Sequence, residues 1–356
     1  MAKESAPTER KGRIQLKKMA ILLLILLICY VAFSLIGSVI AFRVIFHRSD
    51  SASIVLELTY ADVDQALYPR MAVRFPQGDH MLQGYFYKTE NDHGTIVIVH
   101  GFSGGADSHL AETLYFIDHG WSVFCFDGTG CRESDGDSTI GLTQMKLDLM
   151  AALKYLNSER PDSPLVLYGH SMGGYAAAAV LDNFPEVRAA VCISAFNSPV
   201  ETMYYHARQR VGVLADVEYP FLRLWNYFLF GAESDETAVS AINSANAPVL
   251  LIYGSEDEII PESISLYAHR QELTDPYVTT MLIEASPRNH HSTIWLTEES
   301  ASYHLEMQGE LDAKEHSSEP STVPADFLSR LDRTKLCNLD ADFMDLVNDF
   351  FLLSAS

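Results

Sequence analysis

The sequence is poor in cysteine and in basic residues, and each shortage excludes a class of protein. Its five cysteines include no Cys-x-x-Cys pair, so neither a zinc site nor a dense disulfide framework is indicated. Lysine and arginine number 25 against 47 aspartates and glutamates, which gives a formal net charge of −22. Because so acidic a surface repels phosphate backbones, we expect no nucleic-acid partner.

The cysteines that remain are predicted to be ordinary core residues. Cys125 and Cys192 lie inside apolar, strand-like runs, where burial as free thiols is the simplest interpretation. A disulfide between Cys131 and Cys337 is the less favoured alternative. Hydrophobic residues make up 48% of the chain, which is ample for a packed core and excludes a disordered or low-complexity protein.

Residues 19–42 contain no charged side chain at all. As a helix these residues rise about 36 Å, enough to cross a hydrocarbon layer of about 30 Å. The basic tail before them, residues 1–18, favours a cytoplasmic amino terminus and places the rest of the chain outside the cell membrane. A cleaved signal peptide is disfavoured because the apolar run is too long and no Ala-x-Ala-like site precedes Arg43. A core helix of a soluble protein is the third interpretation.

Residues 51–356 read as one α/β domain. Short apolar runs rich in β-branched residues alternate with amphipathic stretches, which is typical of a mostly parallel sheet covered by helices. The turn signal Gln77-Gly78-Asp79 predicts an antiparallel hairpin between the first two strands. The eight predicted strands are Met71–Phe75, Leu82–Tyr87, Thr95–His100, Trp121–Phe126, Pro164–Tyr168, Ala189–Ser194, Pro248–Tyr253 and Val278–Ile283. The predicted helices are Ser108–His119, Leu142–Asn157, Met172–Asn183, Pro261–Glu272 and Ala341–Phe351.

Two long segments interrupt this alternation. Residues 197–246 separate two strands and are rich in aromatic side chains, which predicts an inserted helical lid because a simple crossover is shorter. We expect this lid either to line an apolar pocket or to pack its aromatic side chains, Trp225 among them, onto the core. Residues 297–339 include an acidic, serine-rich stretch and are interpreted as a second surface excursion.

The motif Gly169-His170-Ser171-Met172-Gly173 follows an apolar run and precedes a strong helix former. This is Gly-x-Ser-x-Gly between a strand and a helix, where a sharp turn exposes the serine hydroxyl and the glycines remove side chains that would collide. Ser171 is therefore the predicted nucleophile.

A serine nucleophile needs a base and an acid that orients the base, and on this architecture they follow in the order Ser, Asp or Glu, His. Asp257 lies in a turn directly after the run Leu250–Tyr253, and we prefer it to its acidic neighbours Glu256 and Glu258. His290 and His291 follow the last predicted strand. Successive side chains diverge, so one of the two serves Ser171; we favour His290 and keep His291 as the alternative base.

The reaction also needs hydrogen-bond donors for an oxyanion. One is expected to be the backbone amide of Met172, directly after the nucleophile, and the other that of Phe102 in the glycine-rich loop after the third strand. His100 and His170 are expected to support these loops by hydrogen bonds.

Taken together, these motifs resemble the α/β-hydrolase superfamily, and most of all membrane-anchored bacterial serine hydrolases of the serine aminopeptidase and monoglyceride lipase-like branch. The matching positions are His100–Phe102, residues 127–134, residues 169–174, Asp257 and the pair His290 and His291. The resemblance implies an eight-stranded sheet with a lid, a Ser-His-Asp triad, and no cofactor or metal. Thr129 and Arg132 depart from the family pattern, which puts the packing of that loop in doubt.

The expected activity is hydrolysis of a carboxylic ester or related acyl bond, as in an esterase, a lysophospholipase or a monoacylglycerol lipase. The expected substrate is a small acyl ester or a lipid-like molecule. One alternative is an aminopeptidase-type serine peptidase, in which the acidic lid residues Glu218, Glu233 and Asp235 hold a substrate ammonium. Another is a non-catalytic surface binding module. The sequence predicts no oligomeric state.

Overall fold

The computed structural model describes residues 6–50, 56–90, 92–315 and 325–355. Its first element is a long helix, α1 (Ala6–Ile45). The stretch Gln15–Ile45 of this helix is long and apolar enough to cross a membrane. Residues 19–30 are exposed on every side, whereas a stripe from Val31 to Phe46 packs against the rest of the protein.

A single eight-stranded sheet forms the centre of the domain, as the sequence predicts. The strand order is β1-β2-β4-β3-β5-β6-β7-β8, with β1 and β2 antiparallel to their neighbours and β3 to β8 parallel to one another. The strands are β1 (Met71–Gln77), β2 (His80–Tyr87), β3 (Thr95–Val99), β4 (Ser122–Phe126), β5 (Leu165–His170), β6 (Val187–Ile193), β7 (Val249–Gly254) and β8 (Val278–Ile283).

Helices cover both faces of the sheet because its central strands are apolar on both sides. One face carries α3 (Gln144–Glu159) and α4 (Met172–Ala179), and the other carries α2 (Leu110–Asp118) and the terminal helix α11 (Ala341–Ala355). Three further helices follow β6 and three follow β8. They are α5 (Pro199–Val211), α6 (Leu214–Phe230), α7 (Ala238–Ser244), α8 (Glu298–Glu315), α9 (Ala325–Arg330) and α10 (Arg333–Leu336).

Two local predictions differ from the structure. The helix expected over Pro261–Glu272 is instead a pair of 3₁₀ turns, Glu262–Ile264 and Leu266–Glu272, because Ser265 is extended and caps the second turn with its hydroxyl. Cys131 and Cys337 are both free thiols, so the alternative disulfide is absent. Cys125 and Cys192 are buried and free, as expected.

The end of α1 belongs to the core of the domain. Phe42 and Phe46 are 4% and 3% exposed and join the same hydrophobic cluster as α3 and α4. Beyond them, Ser49 donates its backbone N–H to the carbonyl of Gly130 at 2.9 Å and receives the N–H of Arg132 on its own carbonyl at 2.9 Å. The segment after the apolar helix is therefore part of the folded domain and cannot be treated as a loose tether.

Candidate active site

Ser171 occupies the sharp turn between β5 and α4. Its backbone has φ 56° and ψ −118°, a left-handed conformation that a residue with a side chain seldom adopts. The turn is held because Ser171 donates its N–H to the carbonyl of Ile193 on β6 at 2.8 Å. Strain of this kind is concentrated at functional sites.

Glycine is required on both sides of this turn for a steric reason. A Cβ atom at Gly169 would lie 2.3 Å from the carbonyl oxygen of Gly173, and one at Gly173 would lie 2.0 Å from the carbonyl oxygen of Val99. Both distances are far shorter than any van der Waals contact. The two glycines of the Gly-x-Ser-x-Gly pattern are therefore needed because β3, β5 and α4 approach one another closely at this turn.

Asp257 and His291 form a buried pair at the carboxyl end of the sheet. The Nδ1 atom of His291 lies 2.8 and 2.9 Å from the two carboxylate oxygens of Asp257. One of those oxygens also accepts the backbone N–H groups of Ile259 and Ile260 at 3.1 and 2.7 Å. The side chain of Asp257 is 0% exposed, so this network fixes the carboxylate and leaves the Nε2 atom of His291 available for other chemistry.

His290 does not occupy the position that we preferred for it. Its ring lies near the surface, with Nδ1 3.2 Å from the carboxylate of Glu258, and its side chain is 29% exposed. Because consecutive side chains point in different directions, the turn that brings His291 to Asp257 directs His290 away. The preference for His290 is therefore corrected to His291 as the partner of Asp257.

Two other histidines hold the surrounding loops, as expected. His170 donates from Nε2 to the carbonyl oxygen of His291 at 2.9 Å. His100 lies 2.7 Å through Nδ1 from the carbonyl of Gly101, while its Nε2 accepts the N–H of Gly128 at 3.1 Å. Burial lowers the pKa of both histidines, that of His100 to about 4. Both are therefore neutral near pH 7 and serve as fixed hydrogen-bonding groups.

Both residues that we expect to donate to the oxyanion are close to the nucleophile. Met172 follows Ser171 along the chain, and Phe102 belongs to a loop that lies beside Ser171 in the folded protein. Met172 is the first residue of α4, and the N–H groups of a helix's first turn have no partner inside the helix. Phe102 follows Gly101, where an added Cβ would lie 3.3 Å from the Cβ of Ser171. The loop that contains Phe102 therefore lies directly against the turn at Ser171.

Ser171 and His291 line one cavity of about 510 Å³. Its apolar wall includes Phe102, Ile259 and Trp295, which gives it the mixed lining typical of a small-molecule site. The excursion after β8 also contributes to the lining, through His304, Gln308 and Leu311 of α8. This is the only one of the two long segments that reaches the cavity among the described residues.

The aromatic segment does not line this cavity, so the first of our two expectations for it is wrong; Trp225 packs against the core cluster instead, in agreement with the second. Within the described part of the chain, no residue between 197 and 246 contributes to its wall. The reason is that α6 packs along α1, with the rings of Tyr30 and Phe221 5.5 Å apart in an edge-on contact. The apolar faces of two helices thus satisfy each other at a distance from Ser171.

The acidic residues that we assigned to an ammonium site each contact another side chain. Glu218 accepts a hydrogen bond from Ser34 at 3.1 Å, Glu233 pairs with Lys146 and Asp235 pairs with Arg223. Each carboxylate therefore has a partner outside the cavity.

A carboxylate that sequence reasoning missed does line the cavity. Glu57 precedes β1 by fourteen residues and carries no motif, so only the folded chain brings it near Ser171. Burial raises the pKa of Glu57 to about 7. Nearby, His109 lies 2.8 Å from Glu112; burial opposes a charge on His109, but the Glu112 carboxylate outweighs burial and raises the pKa of His109.

Comparison with known proteins supports the fold and the family. Residues 90–234 match the family model described as serine aminopeptidase, S33. The uncharacterized protein YfhR of Salmonella typhi is 29% identical over 219 residues, which cover 55% of this chain and 67% of the relative. An uncharacterized membrane protein of Saccharomyces cerevisiae is 26% identical over 223 residues, covering 61% and 72% of the two chains.

Among solved structures, an esterase of Pyrococcus furiosus superposes with a TM-score of 0.51 at 18% identity. The match covers 70% of this chain and 92% of the esterase. At that identity the likeness establishes the fold. The chain therefore has the α/β-hydrolase fold, and the match of residues 90–234 to the serine aminopeptidase family model supports a hydrolytic activity.

Proposed function

We propose that this protein is a serine hydrolase that cleaves carboxylic esters, with Ser171 as nucleophile, His291 as base and Asp257 as the orienting acid. The observation that carries the proposal is the buried contact of His291 with both oxygens of Asp257, at 2.8 and 2.9 Å, beside a cavity that also contains the strained Ser171. A nucleophile, a base and a carboxylate arranged in this order are the requirements of acyl transfer.

In the proposed reaction His291 accepts the proton of Ser171 as the hydroxyl attacks the substrate carbonyl. The amides of Phe102 and Met172 donate to the oxyanion. The ester bond breaks, the leaving alcohol takes the proton from His291, and the acyl group stays on Ser171. Water then gives a proton to His291 and attacks the acyl-enzyme. The bond to Ser171 breaks, His291 returns the proton to the Oγ of Ser171, and the acid leaves. Asp257 stays ionised and holds the imidazole in one orientation throughout.

The cavity supports an ester with an apolar acyl group as the substrate. Leu58, Phe102, Ile259 and Trp295 are among the side chains that line its 510 Å³, and such a lining favours burial of hydrocarbon. A lipid-like ester also matches the proposed location of the protein. We propose that α1 spans the cell membrane with its amino terminus in the cytoplasm and the hydrolase domain outside, in line with the exposed apolar run at residues 19–30.

The proposal is tested with the full-length chain in nanodiscs, because Phe42 and Phe46 belong to the core of the domain. Wild-type protein is expected to hydrolyse p-nitrophenyl butyrate and to be labelled covalently by a fluorophosphonate. Ser171→Ala should lose both properties. His291→Ala should lose turnover, whereas the matched variant His290→Ala should retain most of it. If wild type shows neither property, the proposal fails and a non-catalytic binding module becomes the better account.

An aminopeptidase-like activity is the second candidate. It is favoured by the carboxylate of Glu57 in the cavity wall, since a buried carboxylate attracts a substrate ammonium. Turnover of aminoacyl p-nitroanilides in preference to simple esters, lost in Glu57→Gln while ester turnover remains, would establish that activity.

A further inference from the structure

The part of α1 that makes no contact with the domain is too short to cross a bilayer by itself. Residues 19–29 are exposed on every side, and Lys17 and Lys18 end the apolar run before them. Eleven helical residues rise about 17 Å, whereas the hydrocarbon layer is about 30 Å thick. A spanning α1 must therefore use Tyr30 and residues after it as well, and those residues already contact the domain.

The element that contacts this second half of α1 is α6. The hydroxyl of Tyr30 lies 3.4 Å from the carbonyl oxygen of Val217, and Ser34, only 1% exposed, donates to Glu218 at 3.1 Å. At the other end of α6, Phe230 lies with Phe42 beside Gly141. Because α6 runs along the membrane-crossing part of α1, it must lie at the same depth as that part.

The surface of α6 next to this contact is an exposed apolar stripe. Its members lie on one face of the helix, at spacings of three, four or seven positions apart from the adjacent pair Tyr227 and Phe228, and Val213 directly precedes the first turn. Each is more than half exposed: Val213 75%, Val217 54%, Leu224 53%, Tyr227 56% and Phe228 75%. In water such a contiguous surface is unfavourable, and on a soluble protein it marks an interaction site. Beside α1 it continues the lipid-facing surface of the span.

The charged side chains of α6 itself, Asp216, Glu218 and Arg223, lie outside this stripe. Asp216 pairs with Arg208 at 3.3 Å, and Arg223 pairs with Asp235 at 2.9 Å. These pairs lie along one border of the stripe, and Glu218, bonded to Ser34, lies on the side of α1. Intramembrane charges are tolerated where they find partners within the protein.

We propose that the stripe of α6 is immersed in the acyl chains of the outer half of the bilayer, so that α1 and α6 together seat the hydrolase domain in the membrane. This inference rests on the proposed spanning role of α1. It commits to lipid as the occupant because the stripe continues the exposed apolar surface of α1. The residues that carry it are separate from Ser171, Asp257 and His291.

The test places an environment-sensitive NBD probe on single cysteines of the full-length chain in phosphatidylcholine nanodiscs with doxyl-labelled lipids. In a Cys29→Ser and Cys337→Ser background the probe is attached at Leu224→Cys, at Phe228→Cys and, as a matched control, at Leu67→Cys. Leu67 is an exposed leucine, 66% accessible, on the loop before β1. A fourth sample keeps native Cys29, an exposed residue of α1, as the reference for the span.

We expect the probes at Leu224 and Phe228 to lose most of their fluorescence to doxyl lipids, as the probe at Cys29 does, while the Leu67 probe is unaffected. Quenching at Cys29 without quenching on α6 would overturn the inference and leave the anchor standing. A blue-shifted but unquenched α6 probe would mean that a second protein surface covers the stripe, which also overturns it. No quenching at Cys29 would refute the anchor itself. Thermal unfolding midpoints of the labelled proteins identify any variant that is not folded.

Discussion

The ring of Phe46 lies edge-on against the ring of Phe102, with the two centroids 5.7 Å apart. Phe46 is the first residue after α1, and Phe102 belongs to the loop that lies against Ser171. Three residues after Phe46, Ser49 makes a second contact by donating its hydroxyl to the carbonyl of Ser103 at 2.9 Å. The residues directly after α1 thus contact the loop that contains Phe102, a proposed oxyanion donor.

Phe46→Leu is therefore expected to lower the turnover number for ester substrates more than it raises KM. The shorter side chain loses the edge-on contact, so the amide of Phe102 is held less firmly where the oxyanion develops, whereas substrate binding in the cavity is little changed. The measurement is steady-state kinetics with p-nitrophenyl butyrate in nanodiscs. Phe33→Leu is the matched control, because Phe33 lies on α1 with 76% of its surface exposed. Equal losses in the two variants, or a change in KM alone, would contradict this positioning role.

The same segment explains one departure from the family pattern in the loop after β4, the arginine at position 132. The backbone N–H of Arg132 bonds to the carbonyl of Ser49, and its guanidinium donates to the carbonyl of Asp50 and, at 3.1 Å, to that of Ser103. Arg48 donates in turn to the carbonyls of Ser134 and Gly136 at 3.0 and 2.7 Å. An arginine at position 132 therefore ties together the end of α1, the loop after β4 and the loop after β3.

Asp257→Asn tests the acid of the proposed triad. An amide in place of the carboxylate cannot accept the Nδ1–H of His291 in the same way and favours the wrong tautomer, so we expect turnover to fall by about 10³ to 10⁴. Glu258→Gln is the matched control, because Glu258 is 54% exposed and contacts the outer histidine, His290. Its turnover should stay close to that of wild type. A large loss in Glu258→Gln with a small one in Asp257→Asn would exchange the two roles.

Much of the fold was predictable because local patterns determine it. The bounds of β8, Val278–Ile283, agree with the prediction at both ends, and every other strand is within two residues at each end. The glycines around Ser171 gave a specific signal, since no other residue fits so close to β3. In each case the deciding information lies within a few residues of sequence.

The remaining features depend on contacts between distant parts of the chain. Whether His290 or His291 faces Asp257 is decided by the conformation of their loop, which bonds to the turn after β7 through Glu256 N–H and the carbonyl of Asn289 at 2.9 Å. The lining of the cavity by Glu57 and by α8 has no local signal either. The sequence predicted that the aromatic side chains of α6 could line a pocket, because sequence alone does not show that α1 packs on them.

His100 provides a test of pH dependence. Its folded pKa of about 4 lies below the usual value of 6.5, so as the pH falls the unfolded chain takes up a proton before the folded chain does. The stability that His100 contributes is therefore complete above about pH 6.5 and is lost as the pH falls toward 4, by an amount on the order of 3 kcal/mol. His100→Gln keeps a donor and an acceptor but does not titrate.

The measurement is chemical unfolding of both proteins at several pH values. Buried Asp127 and Asp148, whose pKa values burial raises to about 6, act in the opposite direction in both proteins and cancel in the difference. We expect the stability of wild type relative to His100→Gln to decrease between pH 6.5 and 4. A difference that is constant over this range would contradict the assignment.

Lys146 is a buried cation that we expect to stabilise the fold. Its side chain is 0% exposed, and its ammonium lies 2.5 Å from Glu233 and also contacts Glu236 in the segment after α6. Lys146→Met removes the cation and leaves two carboxylates facing each other without a partner. Breaking a fully buried pair on one side costs about 3 to 5 kcal/mol. Because Glu233 and Glu236 are 34% and 19% exposed, solvent screens the unpaired charges, and we expect a smaller loss of about 2 kcal/mol in the free energy of unfolding by denaturant.

The matched control for this substitution is Lys335→Met. Lys335 also pairs with a carboxylate, Glu299 at 2.9 Å, but both side chains are exposed, at 39% and 76%, and an exposed pair contributes less than about 1 kcal/mol. Adding Glu233→Gln and Glu236→Gln to Lys146→Met should recover most of the lost stability, because the unpaired charges are then gone. If Lys146→Met costs no more than Lys335→Met, or if the added glutamines recover nothing, the cation does not stabilise the junction between α3 and the segment after α6.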